Sequence, residues 1–351
     1  MENPREAARL LLEWYARMRR DLPWRRTRDP WRVLVSEVML QQTRVATVIP
    51  YYERFLARFP TPEALAAAPE EELLALWAGL GYYGRARNLK RAAEAITARG
   101  DFPRTLEEWR ALPGVGDYTA AAVASICFHE PVAVMDANVV RVIARLSAET
   151  GNPSSAPVRL RLKELAQRML DPRRPGDFNQ ALMELGATVC LPRQPKCLLC
   201  PLLRQCQARA AGIEQALPTR GPRPETRKLE LDLAIVVHRG RLLLGRRSET
   251  DGQLAGFWEL PRLEALPGAA RRESAGMFRH SITRHDYTIR VWRVSLMRAP
   301  AEFRWQPLDA LDSLPVSSMT RKALRLAGVA GPQAGKAPNG SANRQGAAAG
   351  S

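Results

Sequence analysis

Four of the five cysteines in this chain crowd into one short stretch. They follow a C-x6-C-x2-C-x5-C spacing and are Cys190, Cys197, Cys200 and Cys206. Residues 1–20 are charged throughout and lack the apolar core of a secretory signal, so we expect reduced thiols rather than disulfides. Thiolates at such short spacing bind metal, and the single C-x2-C pair leaves both zinc and an iron–sulfur cluster open. The fifth cysteine, Cys127, lies in an apolar stretch and is typical of a small core residue.

The balance of charge favours a polyanionic partner. The 351 residues include 53 Lys and Arg against 36 Asp and Glu, a formal net charge of +17. The hydrophobic share of 46% is ordinary for a globular protein and excludes a largely disordered chain. No apolar run approaches the roughly 20 residues that a membrane span needs. We expect a soluble, cytoplasmic protein that binds nucleic acid and no membrane; a merely soluble basic surface is the alternative.

The spacing of apolar residues divides the chain into two parts. Up to residue 216 they repeat at helical intervals, as Leu89, Ala93 and Ile96 do, between turns that contain Pro or Gly. From residue 229 they alternate with a period of two, which predicts strands. We predict a mainly helical domain over residues 1–216, a Pro-rich linker over 217–228, an α+β domain over 229–327 and a disordered tail over 328–351.

A Gly-x-Gly turn between two predicted helices is a candidate phosphate site. Thr105 and Glu108 form a capping box before the first helix, and Gly114 and Gly116 precede the apolar second helix. Glycine permits a sharp turn and a close approach, and the N–H groups that begin a helix bind phosphate. This is the helix-hairpin-helix signature of DNA-backbone binding. A tight turn without a ligand is the alternative, and the basic composition argues against it.

Two carboxylates are the candidates for catalysis. Glu37 has apolar neighbours, so burial would raise its pKa and keep it protonated, as a general acid requires. Asp136 opens a predicted helix. Taken singly, Asp136 resembles an ordinary N-cap, and Glu37 a helix-start charge that complements the helix dipole. As a pair they suit glycosidic cleavage, which needs a proton donor and an anion that face an oxocarbenium-like centre.

In this order, these motifs resemble the helix-hairpin-helix DNA glycosylases with an iron–sulfur cluster, and within them the MutY-type adenine DNA glycosylase family. The resemblance extends through residues 22–25, 36–44, 79–83, 112–121, 135–139 and 178–182. It implies a mainly α N-terminal helix-hairpin-helix glycosylase domain with a [4Fe–4S] loop, followed by an α+β Nudix-like C-terminal domain. It also implies that the four clustered cysteines hold a [4Fe–4S] cluster rather than zinc.

The resemblance implies a role for each matching residue. Glu37 would protonate the flipped adenine and later assist water, and Asp136 would stabilise the sugar cation or bond to it transiently. Tyr118 and Asn138 would position these two groups. Endonuclease III-type relatives carry a catalytic Lys where this chain has Tyr118, so a Schiff base with the sugar is not expected here. The implied DNA contacts are Arg25 and Gln180 on adenine, Gln42 and Tyr82 as wedges in the base stack, and the hairpin glycines Gly114 and Gly116.

The C-terminal part resembles the Nudix-like domain that recognises 8-oxoguanine opposite the adenine. The matching segments are residues 245–247 and 254–261. The clustered Glu residues of Nudix hydrolases are missing from the sequence that follows, so we expect no pyrophosphatase activity. The family's Phe-Ser-His recognition loop aligns with the Ile-Thr-Arg of residues 282–284, with His285 one place late, so either Arg284 replaces the family's His or the register slips by one. We expect Thr283 and Arg284 to contact the lesion.

The sequence therefore predicts a monofunctional DNA glycosylase of base excision repair. It would act as a monomer on double-stranded DNA and hydrolyse the N-glycosyl bond of adenine opposite 8-oxoguanine or guanine. We expect a nucleoid-associated protein of prokaryotic type. One alternative is a helix-hairpin-helix glycosylase for oxidised pyrimidines or G·T mispairs, against which Tyr118 and the Nudix-like part argue. The other is a non-catalytic iron–sulfur DNA-binding protein, against which the pairing of Glu37 with Asp136 argues.

Overall fold

The structure is a computed structural model, and its described residues form two compact units. It describes residues 3–219, 221, 225–248, 256–269, 271–282, 284–296, 298–311 and 314–329. The first unit ends at Glu225 and the second begins at Thr226. Within the described part of the chain, no helix has both the length and the apolar character that crossing a membrane requires.

The first unit is helical. Its helices are α1 (Pro4–Met18), α2 (Pro30–Leu40), α3 (Val45–Arg58), α4 (Pro62–Ala66), α5 (Glu70–Trp77), α6 (Gly84–Arg99), α7 (Leu106–Arg110), α8 (Asp117–Phe128), α9 (Ala137–Leu146), α10 (Ala156–Met169), α11 (Pro175–Thr188) and α12 (Gln207–Ala210). Local sequence fixes several of their starts. Asn3, Asp29 and Thr61 each accept a hydrogen bond from the backbone N–H three residues on, with Pro as the first helical residue.

Helix α2 lies in the interior of the first unit. It contacts α3, α6 and α8, and every residue from Val33 to Met39 is buried. Large aromatic side chains fill the unit's core, and Trp31, Trp77 and Trp109 are each at most 1% exposed. The indole N–H of Trp31 donates to the carbonyl of Phe59 at 3.0 Å, which satisfies its polar atom. A carboxyl group on α2 is therefore surrounded by apolar side chains.

The described residues of the second unit form two sheets and an α-helix. Its elements are β1 (Arg227–Ile235), β2 (Val237–His238), β3 (Arg241–Arg246), β4 (Trp258–Glu259), β5 (Arg271–Ile282), β6 (His285–Ser295), β7 (Phe303–Pro307) and α13 (Ser318–Leu326). Strand β6 lies between β1, to which it is parallel, and β5, to which it is antiparallel. Strand β3 pairs antiparallel with β2, β4 and β7.

The predicted alternation in the second unit is confirmed. Leu233 and Ile235 face one apolar cluster, whereas Ala234 and Val236 face another, as the period of two requires. A two-residue turn joins β2 to β3. Its residues Arg239 and Gly240 have φ of +48° and +72°, the left-handed pair that a tight hairpin uses.

Both ends of the predicted linker over residues 217–228 belong to the units themselves. Leu217 is buried, and Thr219 Oγ1 donates to a carbonyl of the first unit, on Gly151, at 2.7 Å. At the other end, Arg227 is already the first residue of β1. Of the predicted tail over 328–351, only residues 328 and 329 are among those described.

Candidate active site

Glu37 is a buried acid held by one phenol. It is 5% exposed and lies near the C-terminal end of α2, so its interpretation as a helix-start charge is wrong. Tyr118 Oη donates to Glu37 Oε2 at 2.5 Å. Burial raises the pKa of Glu37 to about 7 against the opposing hydrogen bond from Tyr118, and the negative charge of Asp136 raises it further. Glu37 can therefore carry a proton near neutral pH.

Asp136 is both the N-cap of α9 and an electrostatic neighbour of Glu37. Its Oδ1 accepts from the backbone N–H of Val139 at 2.7 Å, and its Oδ2 accepts from Asn138 Nδ2 at 2.9 Å. Burial raises the pKa of Asp136, and these donors oppose that rise because they favour the carboxylate. The two carboxyls thus have different surroundings, and the proton that they compete for is favoured on Glu37.

Asn138 is fixed from its far side by a buried guanidinium. Arg141 is 7% exposed, and its Nη2 donates to Asn138 Oδ1 at 2.8 Å, while its Nε donates to the carbonyl of Cys190, also at 2.8 Å. Gly186 on α11 allows the close contact, since a Cβ there would lie 2.6 Å from Asn138 Cβ. A continuous set of contacts therefore joins Asp136 to the first clustered cysteine. Arg141 is not among the site residues predicted from the sequence.

The two expected adenine contacts meet at one tyrosine. The Arg25 guanidinium lies 5.5 Å from the ring centroid of Tyr15, whose hydroxyl donates to Gln180 Oε1 at 3.3 Å. Arg25 Nη2 also donates to Glu184 at 2.7 Å. Burial alone would raise the pKa of Glu184, but hydrogen bonds from Arg20 and Arg25 lower it to about 2. Glu184 was also missed, although it lies four residues after Gln180 on the same face of α11.

The four predicted cluster ligands line a single cavity. Cys190, Cys197, Cys200 and Cys206 are all free thiols, and Arg145 and Glu214 share the cavity wall. Arg145 is 2% exposed, and its Nη1 lies 3.2 Å from Cys190 Sγ and 2.7 Å from the carbonyl of Leu191. Among the residues that the structure describes, no three His, Cys, Asp or Glu side chains form a group that could hold a single metal ion. The thiols surround a space rather than converging on a point.

The helix-hairpin-helix turn carries both glycines and the partner of Glu37. The capping box of Thr105 and Glu108 is present at the start of α7. Gly114 has φ of +73°, and a Cβ there would lie 2.3 Å from Asn88 Cβ, so the turn requires glycine. Gly116 is the N-cap of α8, and Tyr118 is the second residue of that helix. The turn that exposes the start of α8 thus also fixes the phenol that binds Glu37.

The two expected wedge residues share an unusual backbone conformation. Gln42 and Tyr82 are exposed, and their φ angles of +55° and +49° lie in the left-handed region, which is rare for residues other than glycine. Gln42 follows α2 and Tyr82 precedes α6. Gln41 Nε2 donates to Thr119 Oγ1 at 3.3 Å, which links the first of these loops to α8.

The expected lesion-recognition loop is shorter than predicted. Of the predicted loop over residues 282–284, Ile282 is the last residue of β5, and it pairs with His285, the first residue of β6. Arg284 is exposed between the two strands, and its carbonyl accepts from Arg227 N at 2.8 Å. Thr283 lies outside the described residues. The strands extend this far because both β5 and β6 present apolar residues to one core, among them Phe278 and Ile289.

Comparison with known proteins identifies the family. Residues 35–168 match the model of the HhH-GPD superfamily base excision DNA repair protein, and residues 233–326 match that of the NUDIX domain. An adenine DNA glycosylase of Mus musculus is 36% identical over an alignment of 394 positions, gaps included, that covers 90% of this chain and 76% of the mouse protein. The chain belongs to the adenine DNA glycosylase family. The adenine DNA glycosylase of Rattus norvegicus is 41% identical over 320 residues, 76% of this chain but only 62% of the rat protein, so this chain spans less than two thirds of that relative.

Solved structures match the first unit of this family member. A thermostable thymine-DNA glycosylase is 33% identical with a TM-score of 0.54, and it covers 59% of this chain and 97% of its own. A non-covalent endonuclease III–DNA complex is 25% identical with a TM-score of 0.52, and it covers 61% of this chain and 99% of its own. These matches leave most of the second unit uncovered, whereas the mouse adenine glycosylase covers most of the chain.

These comparisons confirm the predicted family and fold class, a helical helix-hairpin-helix domain followed by a Nudix-like domain with strands. The enzyme class is confirmed as well: the relatives are named as adenine DNA glycosylases, which are N-glycosyl hydrolases of base excision repair. The roles of individual residues stay predictions.

Proposed function

We propose that this chain hydrolyses the N-glycosidic bond of adenine paired with 8-oxoguanine or guanine in double-stranded DNA. One observation carries the proposal: a buried acid whose pKa is raised to about 7, Glu37, lies within electrostatic reach of a hydrogen-bonded carboxylate, Asp136. Departure of a purine from its sugar needs a proton donor for the base and an anion for the sugar cation, and these two groups supply both.

The proposed steps use Glu37 twice. Adenine is a poor leaving group as an anion, so Glu37 gives its proton to a ring nitrogen while the electron pair of the C1′–N9 bond moves onto the base. Asp136 stabilises the positive charge that develops on the sugar. Water then attacks C1′, and the Glu37 carboxylate takes its proton, which restores the acid.

Tyr118 makes the enzyme monofunctional in this proposal. Burial raises the pKa of Tyr118 well above its ordinary value, so the phenol stays protonated and keeps donating to Glu37. A phenol cannot form a Schiff base with the opened sugar as an amine would, so the DNA strand stays intact after the base leaves.

Base extrusion precedes this chemistry, because a glycosidic bond inside the stack is out of reach. Gln42 and Tyr82 are the proposed wedges, since both are exposed on loops that flank α2 and α6. The exposed glycines Gly114 and Gly116 offer backbone N–H groups to a phosphate. Glu184 fixes the orientation of Arg25, which together with Gln180 would contact the flipped base.

The four clustered cysteines fit a [4Fe–4S] cluster. Four thiols around one cavity match its four iron ligands, and the guanidinium of Arg145 beside Cys190 Sγ offsets the negative charge of the thiolates. When bound, the cluster supplies a cross-link between these segments of chain rather than a step of the hydrolysis. Because Arg141 joins the Cys190 carbonyl to Asn138, ligation of Cys190 would also steady the residue that orients Asp136.

Recognition of 8-oxoguanine is assigned in this proposal to the turn between β5 and β6. Arg284 is exposed there, and a guanidinium suits the O6 and N7 edge of a purine. Thr283 would add a hydroxyl. Contact with a phosphate only is the alternative for Arg284, and it would weaken binding to all duplexes alike.

Single-turnover excision tests the proposal. Duplexes with adenine opposite 8-oxoguanine, guanine or cytosine are incubated with the protein and then treated with or without alkali. We expect strand breaks at the first two pairs, and only after alkali. Breaks without alkali would contradict the monofunctional assignment, and release of thymine from G·T in place of adenine would favour the other specificity.

A further inference from the structure

One guanidinium joins the two loops that carry the proposed wedges Gln42 and Tyr82. Arg85 is the second residue of α6. At the end of α2, where the first loop begins, its Nη1 donates to the carbonyls of Val38 at 2.9 Å, Met39 at 3.0 Å and Gln41. Its Nη2 donates to Thr43 Oγ1 at 3.3 Å and, on the second loop, to the carbonyls of Leu80 and Gly81, both at 3.2 Å.

The acceptors at this end of α2 are carbonyls that have no hydrogen-bond partner within the helix. Helix α2 ends at Leu40, so the carbonyls of Val38, Met39 and Gln41 have no partner further along the helix. A cation at this end also complements the helix dipole. Arg85 therefore fixes the end of the helix that carries Glu37, and a planar fork of donors lets it hold the second loop at the same time.

Arg85 also contacts a wedge side chain directly. Its guanidinium carbon lies 5.6 Å from the ring centroid of Tyr82 and 5.6 Å from that of Trp77. Trp77 is fully buried, and its indole N–H donates to the carbonyl of Gly81 at 3.1 Å. The exposed ring of Tyr82 is thus connected to the core through one cation.

The held carbonyls adjoin the two left-handed residues. Gln41 precedes Gln42, and Gly81 precedes Tyr82, and both wedge residues have positive φ. Such backbone conformations persist only where their surroundings hold them in place. We propose that Arg85 is a positioning residue that locks Gln42 and Tyr82 in one joint arrangement, so that both enter the base stack together. This inference rests on the proposed function, because it presupposes extrusion of the base.

Lys90 provides a matched control on the same helix. Its Nζ donates to the carbonyls of Leu65 at 3.2 Å, Ala66 at 2.7 Å and Ala68 at 2.8 Å, at the end of α4. Lys90 therefore binds helix-end carbonyls as Arg85 does, but on a different loop. Arg85→Met and Lys90→Met each keep an unbranched side chain and remove the cation. Both variants should therefore lose stability, but only Arg85→Met should release Gln42 and Tyr82 from their joint arrangement.

The experiment measures extrusion without excision. The full chain carries Glu37→Gln to prevent turnover, and the duplex has A opposite 8-oxoguanine with 2-aminopurine beside the target adenine. Unstacking of the target raises 2-aminopurine fluorescence. At saturating protein and fixed salt we expect the rise with Glu37→Gln and with Glu37→Gln/Lys90→Met, and its loss with Glu37→Gln/Arg85→Met. Arg85→Lys is expected to lose most of the rise, since one ammonium cannot span both loops.

Single-turnover excision by the otherwise unmodified chain gives an independent readout. Misplaced wedges are expected to slow Arg85→Met by about 10²-fold, and Lys90→Met far less. Equal losses of excision rate in Arg85→Met and Lys90→Met would overturn the inference. So would a fluorescence rise with Glu37→Gln/Arg85→Met as large as that with Glu37→Gln alone. No rise with Glu37→Gln alone would overturn it too. A lack of adenine excision by the unmodified chain would instead overturn the proposed function, which the fluorescence comparison does not depend on.

Discussion

The centre around Glu37 and the turn around Arg284 contain equally polar side chains in opposite surroundings. Glu37 is 5% exposed, and its partner Tyr118 occupies a fixed position at the start of α8. Arg284 is exposed between two strands, and only its backbone carbonyl has a described partner, Arg227. Burial raises the pKa of Glu37 and its hydrogen bond with Tyr118 fixes its position, whereas the exposed Arg284 side chain is accessible to a binding partner. The first arrangement suits catalysis, and the second suits discrimination between substrates.

The largest loss of excision rate is expected from the substitution that removes the proton of the buried acid. Glu37→Gln keeps the size of the side chain and the contact with Tyr118, but it has no proton to give. Since general acid–base help is typically worth ~10²–10⁴ in rate, we expect at least that loss in single-turnover excision with duplex affinity retained. Affinity is measured in parallel at fixed salt. Excision at the unmodified rate would show that another group is the acid.

A smaller loss is expected when the buried centre is displaced without removing a functional group. Gly186→Ala adds a Cβ 2.6 Å from Asn138 Cβ and 3.1 Å from its Cα, so Asn138 must shift and take Asp136 with it. Misplacement by about 1 Å can cost ~10²-fold in rate, and we expect a loss of that order. Gly84→Ala, at a helical glycine that faces open space, is the control and should retain full activity. Similar rates for the two variants would mean that the centre tolerates displacement.

The pH dependence of excision and of stability should report on the buried centre around Glu37. Because the pKa of Glu37 is raised to about 7, the excision rate should fall about tenfold per pH unit above that value, and below it the rate should stay level only while Asp136 is still ionised. Stability should follow the same group. The native chain holds this proton more tightly than the unfolded chain, so stability falls as the pH rises from about 4.5 to 7. Thermal unfolding of Glu37→Gln should lack that decline, and a parallel decline in both proteins would place the titration elsewhere.

The smallest effect is expected at the exposed turn, and on one substrate only. Arg284→Ala should lower the preference for adenine opposite 8-oxoguanine over adenine opposite guanine by at least about 1 kcal/mol, roughly fivefold, with excision from the G·A pair retained. The ratio of the two single-turnover rates at one salt concentration measures this. Equal losses on both pairs would make Arg284 a phosphate contact.

Prediction from sequence succeeded where one residue's chemistry and its packing agree. The apolar neighbours of Glu37 predicted that it would be buried, and the two glycines Gly114 and Gly116 predicted the hairpin turn.

The partners of these residues were harder to find. Glu184 and Arg85 bind partners that are distant in sequence. Arg141 joins Asn138, three residues away, to the distant Cys190. In the sequence, a basic or acidic residue on a helix looks the same whether it faces water or a buried carbonyl. The resemblance placed Ile282 in the recognition loop, whereas its strand pairing with His285 depends on the cross-strand contacts of β5 with β6.

The parallel pairing of β1 with β6 has a consequence for the newly made chain. Arg227 pairs with His285 in the parallel β1–β6 pair, so β1 cannot pair with β6 until all the residues between them have been synthesised. At 5–20 residues per second this takes about 3–12 s, during which the apolar face of β1 has no partner strand. The helical unit, whose contacts are complete by residue 225, can already be folded by then. The interval in which a nascent chain is open to aggregation or chaperone binding therefore falls on the second unit.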